Sequence, residues 1–197
     1  MNYLIPILAG IALAAASGFR VFVPMLVASI AAHGGYIHVG GGFNWLATSP
    51  AMIALGVATV VEIAAYYVPW LDHALDTIAT PTALAAGTTV LAALAPIDDP
   101  AFKWILAVIA GGGPAAVVQV GTVGARALSG ATTAGAGNPI VATVEHVASI
   151  VLSILAIVVP ILAFLAVLAI IYFMVKVFRR FLRMRKCGEV AEGVDNA

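Results

Sequence analysis

Residues 3–33, YLIPILAGIALAAASGFRVFVPMLVASIAAH, are apolar from end to end except for one charged side chain, Arg20, in the middle of SGFRVFVP. A straight bilayer crossing needs about 20 residues, so the run is too long for one helix, and Ser17-Gly18 is where it divides. An arginine at membrane depth costs roughly 2.5–3.5 kcal/mol even on the most lenient scale, and such residues mark a pathway, an ion pair or a site. The stretch predicts a membrane protein with polar groups inside it. Ala14-Ala15-Ala16 also reads as a small-residue cleavage site. No basic segment precedes it, however, and the chain after it is as apolar as the chain before, so the segment is expected to remain in the mature protein.

Composition points the same way, because 63% of residues are hydrophobic and 9% charged, with a mean hydropathy of +1.11. A soluble domain cannot bury that much apolar surface. Six of the nine Lys and Arg residues (Lys176, Arg179, Arg180, Arg183, Arg185, Lys186) crowd one stretch near the C-terminus. By the positive-inside rule that end is cytoplasmic, in a bacterial-type cytoplasmic (inner) membrane. The expected organisation is one transmembrane domain over residues 1–178 and a basic, then acidic, partly disordered tail over 179–197. The single cysteine, Cys187, leaves no internal disulfide and no cysteine-based metal cluster, and no cofactor is expected. The partners implied are the lipid bilayer and a small ion or solute, without nucleic acid; a homo-oligomer is left open.

Apolar blocks run over about 3–33, 51–70, 82–96, 101–127 and 139–178, separated by segments rich in Gly, Pro, Asp or Thr. The block 82–96 is short for a crossing. A single helix over 139–178 would be about 60 Å long, twice the hydrocarbon thickness, so it must divide, with Pro160 the best break; a half-helix from Pro139 to about Ser149 followed by one span is the alternative. The fold expected is all-α, with five or six transmembrane helices, some broken or re-entrant. LAAASGFRVFVP and ARALSGATTAGAGNP share a small-residue helix, a Ser-Gly break and a Pro restart, and VATVVEIA echoes VATVEHVA. Helices broken at corresponding points of two halves are the signature of an inverted repeat with a midplane site, against which stands chance similarity in an alanine-rich chain.

The candidate site residues follow from these breaks. Arg20 can hold an anion, snorkel, or pair with a carboxylate, Glu62 being the nearest in sequence. Glu62 lies deep in its block and must pair with Arg20 or Arg126, titrate or face water. Glu145 and His146 can bind a cation or relay a proton, although neighbours on a helix diverge by about 100° and only one can face a given point. Ser129, Thr132, Thr133 and Asn138 offer hydroxyls and an amide beside a restarting helix N-terminus, which suits an anion or polar head group. SGATTAGAGNP carries no charge, so it is expected to enter the membrane as non-helical backbone. Asp72 and Asp76, one turn apart beside His73, are weak metal candidates; the plainer reading is a solvated amphipathic loop anchored by Trp70. Asp98-Asp99-Pro100 reads as a turn and helix cap. Gly111-Gly112-Gly113-Pro114 matches no phosphate loop and instead permits close helix approach.

SGFRVFVP, VEIAAYYVPWLDHALDTIATP and ATTAGAGNPIVATVEHV, in this order ahead of a basic tail, resemble the uncharacterised membrane family called domain of unknown function 4126 over roughly residues 8–185. The resemblance implies a polytopic membrane protein and no particular activity. Family members carry an Asp-Lys pair where this chain has Tyr66 and Tyr67, which argues against a charged coordination motif there. The functional expectation is a small-solute or ion transporter or channel; the alternative is a non-transport scaffold or lipid-interacting protein. With no HExxH, no GxSxG and no cysteine nucleophile, an enzyme is not expected.

Overall fold

Apolar residues, proline positions and caps divide the chain into helices. The computed structural model describes the backbone of residues 3–195, with the side chains of 41, 69–76, 178 and 181–195 outside the described residues. The elements are α1 (Leu4–Ser17), α2 (Phe22–His33), a 3-10 segment (Gly41–Ala47), α3 (Ser49–Ala65), α4 (Pro69–Leu94), α5 (Pro100–Leu106), a π-helical segment (Ala107–Gly112), α6 (Gly113–Thr133), α7 (Asn138–Val158) and α8 (Pro160–Asp195). No strand occurs among the described residues. Windows in four stretches, Thr77–Leu94, Pro100–Thr133, Asn138–Val158 and Pro160–Val177, are long and apolar enough to cross a bilayer, and α1, α2 and α3 are shorter apolar helices.

The starts and stops have local causes. Thr48 accepts a hydrogen bond from the Ala51 amide at the start of α3, and Asp99 accepts one from Phe102 at the start of α5, in each case next to a first-turn proline. Proline also occupies the first turn of α7 and α8. Val159 breaks the run between those helices with φ −138° and ψ 73°, so Pro160 marks the division as expected. The half-helix ending near Ser149 does not form, because α7 continues unbroken to Val158. Pro81 sits inside α4 without ending it, and the expected short block and surface loop become one helix.

Contacts between residues far apart in sequence set the directions of the helices. Gly10 packs on Leu91 and Leu94, and Gly87 on the Ala14 carbonyl, so α1 and α4 are antiparallel. Ser149 donates to the Ala16 carbonyl at 3.2 Å and Arg20 to the Ala142 carbonyl at 3.3 Å, so α1 and α7 are antiparallel too. The Gly40 amide donates to the Ala93 carbonyl at 2.8 Å, which returns the chain after α2 to the level of the α1 start. Residues 4–33 are therefore a helical hairpin with Arg20 at its buried tip. Met174 lies against Gly121, one and a half turns before Arg126. A helix continuing α7 in a straight line would carry Met174 over 30 Å away, so α8 must fold back alongside α6.

A run of small residues makes α1 the hub. Ala12, Leu13, Ala14, Ala15 and Ala16 are fully buried, and α1 packs against α4, α6, α7 and α8. The close approach read from the glycine runs is present: a side chain at Gly111 would lie 2.6 Å from the Gly87 carbonyl oxygen, where the π-helical segment meets α4. One expectation changes. α1–α2 and α6–α7 are both hairpins and α1 runs parallel to α6, so the two halves that echo in sequence point the same way and are not inverted.

Gly18 provides a test of this packing. A β-carbon there would sit 2.4 Å from the Ala115 carbonyl oxygen and 2.6 Å from Val118 Cβ, whereas one at Gly124 meets nothing within 4 Å. Gly18→Ala is expected to destabilise by about 1–3 kcal/mol through overpacking. Gly124→Ala should be neutral or stabilise by up to about 1 kcal/mol through helix propensity. Melting of both variants in detergent measures the contrast.

Candidate functional site: a buried arginine–glutamate–tyrosine centre

The hairpin tip, α3, α6 and α7 bring their charges to one place. Arg20 is the third residue of the four-residue link between α1 and α2 and is 1% exposed. Its Nη2 lies 2.9 Å from Glu145 Oε2. Arg126 also donates to this carboxylate, through Nε to both oxygens, at 3.2 and 3.1 Å, and through Nη2 to Oε2. One carboxylate thus holds two guanidinium groups, each away from water. Dry ion pairs of this kind repay their desolvation only with multiple well-aligned hydrogen bonds, which the fork of Arg126 supplies.

Tyr66 packs against both cations. Its ring lies 3.6 Å from the Arg20 guanidinium carbon and 4.3 Å from that of Arg126, centroid to carbon, within the range where the π face attracts a cation. His146 meets Tyr66 edge-on, with centroids 6.4 Å apart, and stacks on Tyr67 at 6.0 Å. The Tyr67 hydroxyl shares a hydrogen bond with Thr143 at 2.9 Å. His146 Nδ1 contacts the Ala142 carbonyl. A carbonyl can only accept, so Nδ1 carries the hydrogen and the neutral ring presents Nε2 as an acceptor.

Glu62 is buried but serves a different purpose. It accepts from the Val21 amide at 2.8 Å and the Phe22 amide at 3.1 Å, the first donors of α2. Those amides have no partner inside the helix, and a carboxylate on them satisfies both the hydrogen bonds and the positive end of the helix dipole. The expected Arg20–Glu62 ion pair is therefore replaced by Arg20–Glu145, because Glu62 is engaged by the Val21 and Phe22 amides just past the hairpin tip.

The remaining predicted residues lie elsewhere. Ser129, Thr132 and Thr133 belong to α6, which continues through the expected break. Thr132 and Thr133 return hydrogen bonds to the carbonyls of Leu128 and Ser129, and the Gly137 amide donates to Thr133. The chain reverses over 134–137, with Ala134 at φ 51° and Gly135 at φ 87°. Thr132 and Thr133 are exposed and Asn138 opens α7. The stretch is thus a tight helix–helix turn in place of non-helical backbone buried at depth. Glu145 stands seven residues beyond Asn138, about 10 Å from the turn along a helix about 31 Å long. Asp72 and Asp76 lie outside the residues whose side chains are described. Among the described residues, no three His, Cys, Asp or Glu side chains gather into a metal-binding group.

Tyr66, Tyr67 and Thr143 are members of the centre that the sequence does not announce, and Arg126, expected only as a candidate partner of Glu62, pairs with Glu145 instead. Arg126 carried the same signal as Arg20, a lone charge in an apolar block.

What distinguishes the centre chemically is its surplus of donors. Arg20 Nε and Nη1 are buried and have no hydrogen-bond partner within the protein. The geometry makes a double-mutant cycle decisive. Removing Glu145 alone (Glu145→Gln) leaves two guanidinium groups facing each other and is expected to cost about 3–5 kcal/mol. Glu62→Gln should cost about 1–3 kcal/mol, because one acceptor on the α2 amides survives. Melting in detergent should show strong coupling between Arg20→Gln and Glu145→Gln and weaker coupling between Arg20→Gln and Glu62→Gln.

Residues 7–180 match a family model whose description is Domain of unknown function (DUF4126). No curated protein and no solved structure matches the chain.

Proposed function

We propose a transport function for a chain whose family is known and whose family has no assigned activity: it belongs to DUF4126, over residues 7–180. The reading is that the protein binds and passes a small inorganic anion, with Arg20 as the binding residue. The observation that carries it is the pair of buried, unpartnered Arg20 donors, Nε and Nη1, in a centre where Glu145 is shared with a second guanidinium. A free N–H donor takes an acceptor, and a guanidinium takes an anionic one most strongly. Glu62 does not compete for it, because its oxygens are held by the α2 amides.

In this reading Tyr66 and Arg126 hold the Arg20 fork in orientation and Glu145 moderates the charge. Binding then stays weak enough for release, as a conduction site requires. The proposed topology has five crossings, by α3, α4, α5 with α6, α7 and α8, and a re-entrant α1–α2 hairpin. The α6–α7 turn and the basic tail share one side, taken as the cytoplasm of a bacterial-type inner membrane on the positive-inside rule. A reporter fused after Lys186 is expected to read cytoplasmic; periplasmic activity with the tail intact reverses the orientation.

Function is tested in proteoliposomes carrying a chloride gradient, with nitrate and bromide as further probes. The wild-type protein is expected to dissipate the gradient well above empty vesicles. Arg20→Gln should lower the rate at least tenfold, and Arg20→Lys should retain part of it. Wild-type vesicles as tight as empty ones for all three anions, from protein that melts cooperatively, would overturn transport and leave the centre as a structural clamp in a membrane scaffold.

A further inference from the structure

A second group of unpartnered polar atoms lies deeper in the same helix pair. Gln119 of α6 is 2% exposed and Ser153 of α7 is fully buried, and neither Gln119 Nε2 nor Ser153 Oγ has a hydrogen-bond partner within the protein. Their depth follows from the antiparallel register that Arg126 and Glu145 set. Gln119 precedes Arg126 by seven residues and Ser153 follows Glu145 by eight, so each lies about 10–12 Å from the arginine centre, in the same direction. The polar side chains between behave differently. Ser17, Thr122 and Ser149 are all buried and each donates to a backbone carbonyl, of Leu13, Gln119 and Ala16. Hydroxyls that return a hydrogen to a helix carbonyl are ordinary in membrane helices; an amide and a hydroxyl left without partners are not.

We propose that Gln119 and Ser153 form a second, uncharged station for the anion, below the arginine centre on the way to the α7–α8 end of the bundle. The proposal rests on the transport reading. The donors here are a neutral amide N–H and a hydroxyl, with no cation in the pair. Such a station suits a weakly hydrated monovalent anion and rejects multiply charged ones, whose desolvation it cannot offset. A charged station followed by a neutral one also answers a problem of conduction, since an anion held only by buried guanidinium groups would leave slowly. The alternative, that both polar groups are simply tolerated in the core, predicts that apolar replacements improve the protein and change nothing else.

That difference defines the experiment. Gln119→Leu, Gln119→Met and Ser153→Ala, singly and combined, are purified in chloride and in gluconate, and chloride flux is measured in proteoliposomes. The expected result is an unchanged or higher melting temperature in gluconate with chloride flux at least tenfold lower. Chloride stabilisation through Arg20 should be retained. Wild-type flux in the stable variants would overturn the second station while leaving the arginine centre as the site. A lower melting temperature in both Gln119→Leu and Gln119→Met would show that the amide is satisfied within the fold, and would overturn it as well. If the wild-type protein moves no chloride, the transport reading itself fails, an outcome separate from either of these.

Discussion

Two arginines share one glutamate at a place water does not reach, and the arrangement of α1, α2, α3, α6 and α7 answers to that constraint. Arg20 can be buried only because Glu145 lies 2.9 Å from it. Glu145 accepts a second guanidinium, that of Arg126, and the Tyr66 ring lies against both cations. Glu62 then secures the hairpin tip by holding the first amides of α2 from a helix some 40 residues further on. Removal of any member leaves a buried charge or donor without its partner, which is why the centre holds as a unit.

The hub helix shows how packing serves that centre. The alanines of α1 carry little side-chain volume, so four helices approach its backbone closely, and the Gly87–Gly111 contact does the same for α4 and the π-helical segment. Close approach brings Arg20 within reach of α7. It also places the charged centre less than one helical turn from the middle of α7, on the side of the α6–α7 turn.

Much of this was legible in the residues. A lone arginine beside Ser17-Gly18 announced a buried break, and Pro160 in an overlong apolar block announced a division; both are present. The choice of partner for Arg20 was not legible. Glu62 and Glu145 follow nearly the same V-A-T-V pattern, and only the register between distant helices decides which of them meets an arginine. Tyr66 and Tyr67 read as a departure from a charged motif, since an aromatic ring announces no partner in sequence; its value here lies in the face it presents to Arg20 and Arg126. The depth of SGATTAGAGNP is not legible, because Gly and Pro report that a helix stops, whether at depth or at an end. Thr132 and Thr133 prolong α6 by bonding to its own carbonyls.

The separation of Arg20 from its partners also bears on how the chain is made. The carbonyl that receives its guanidinium belongs to Ala142, 122 residues later. At about 5–20 residues per second of synthesis, the N-terminal hairpin leaves the ribosome many seconds before α7 exists. For that interval Arg20 cannot settle into lipid at low cost, so the hairpin must wait at the translocon or at the head-group level. Completion of α7 is then the event that draws it inward, and a segment made well before α7 takes its final depth only with it.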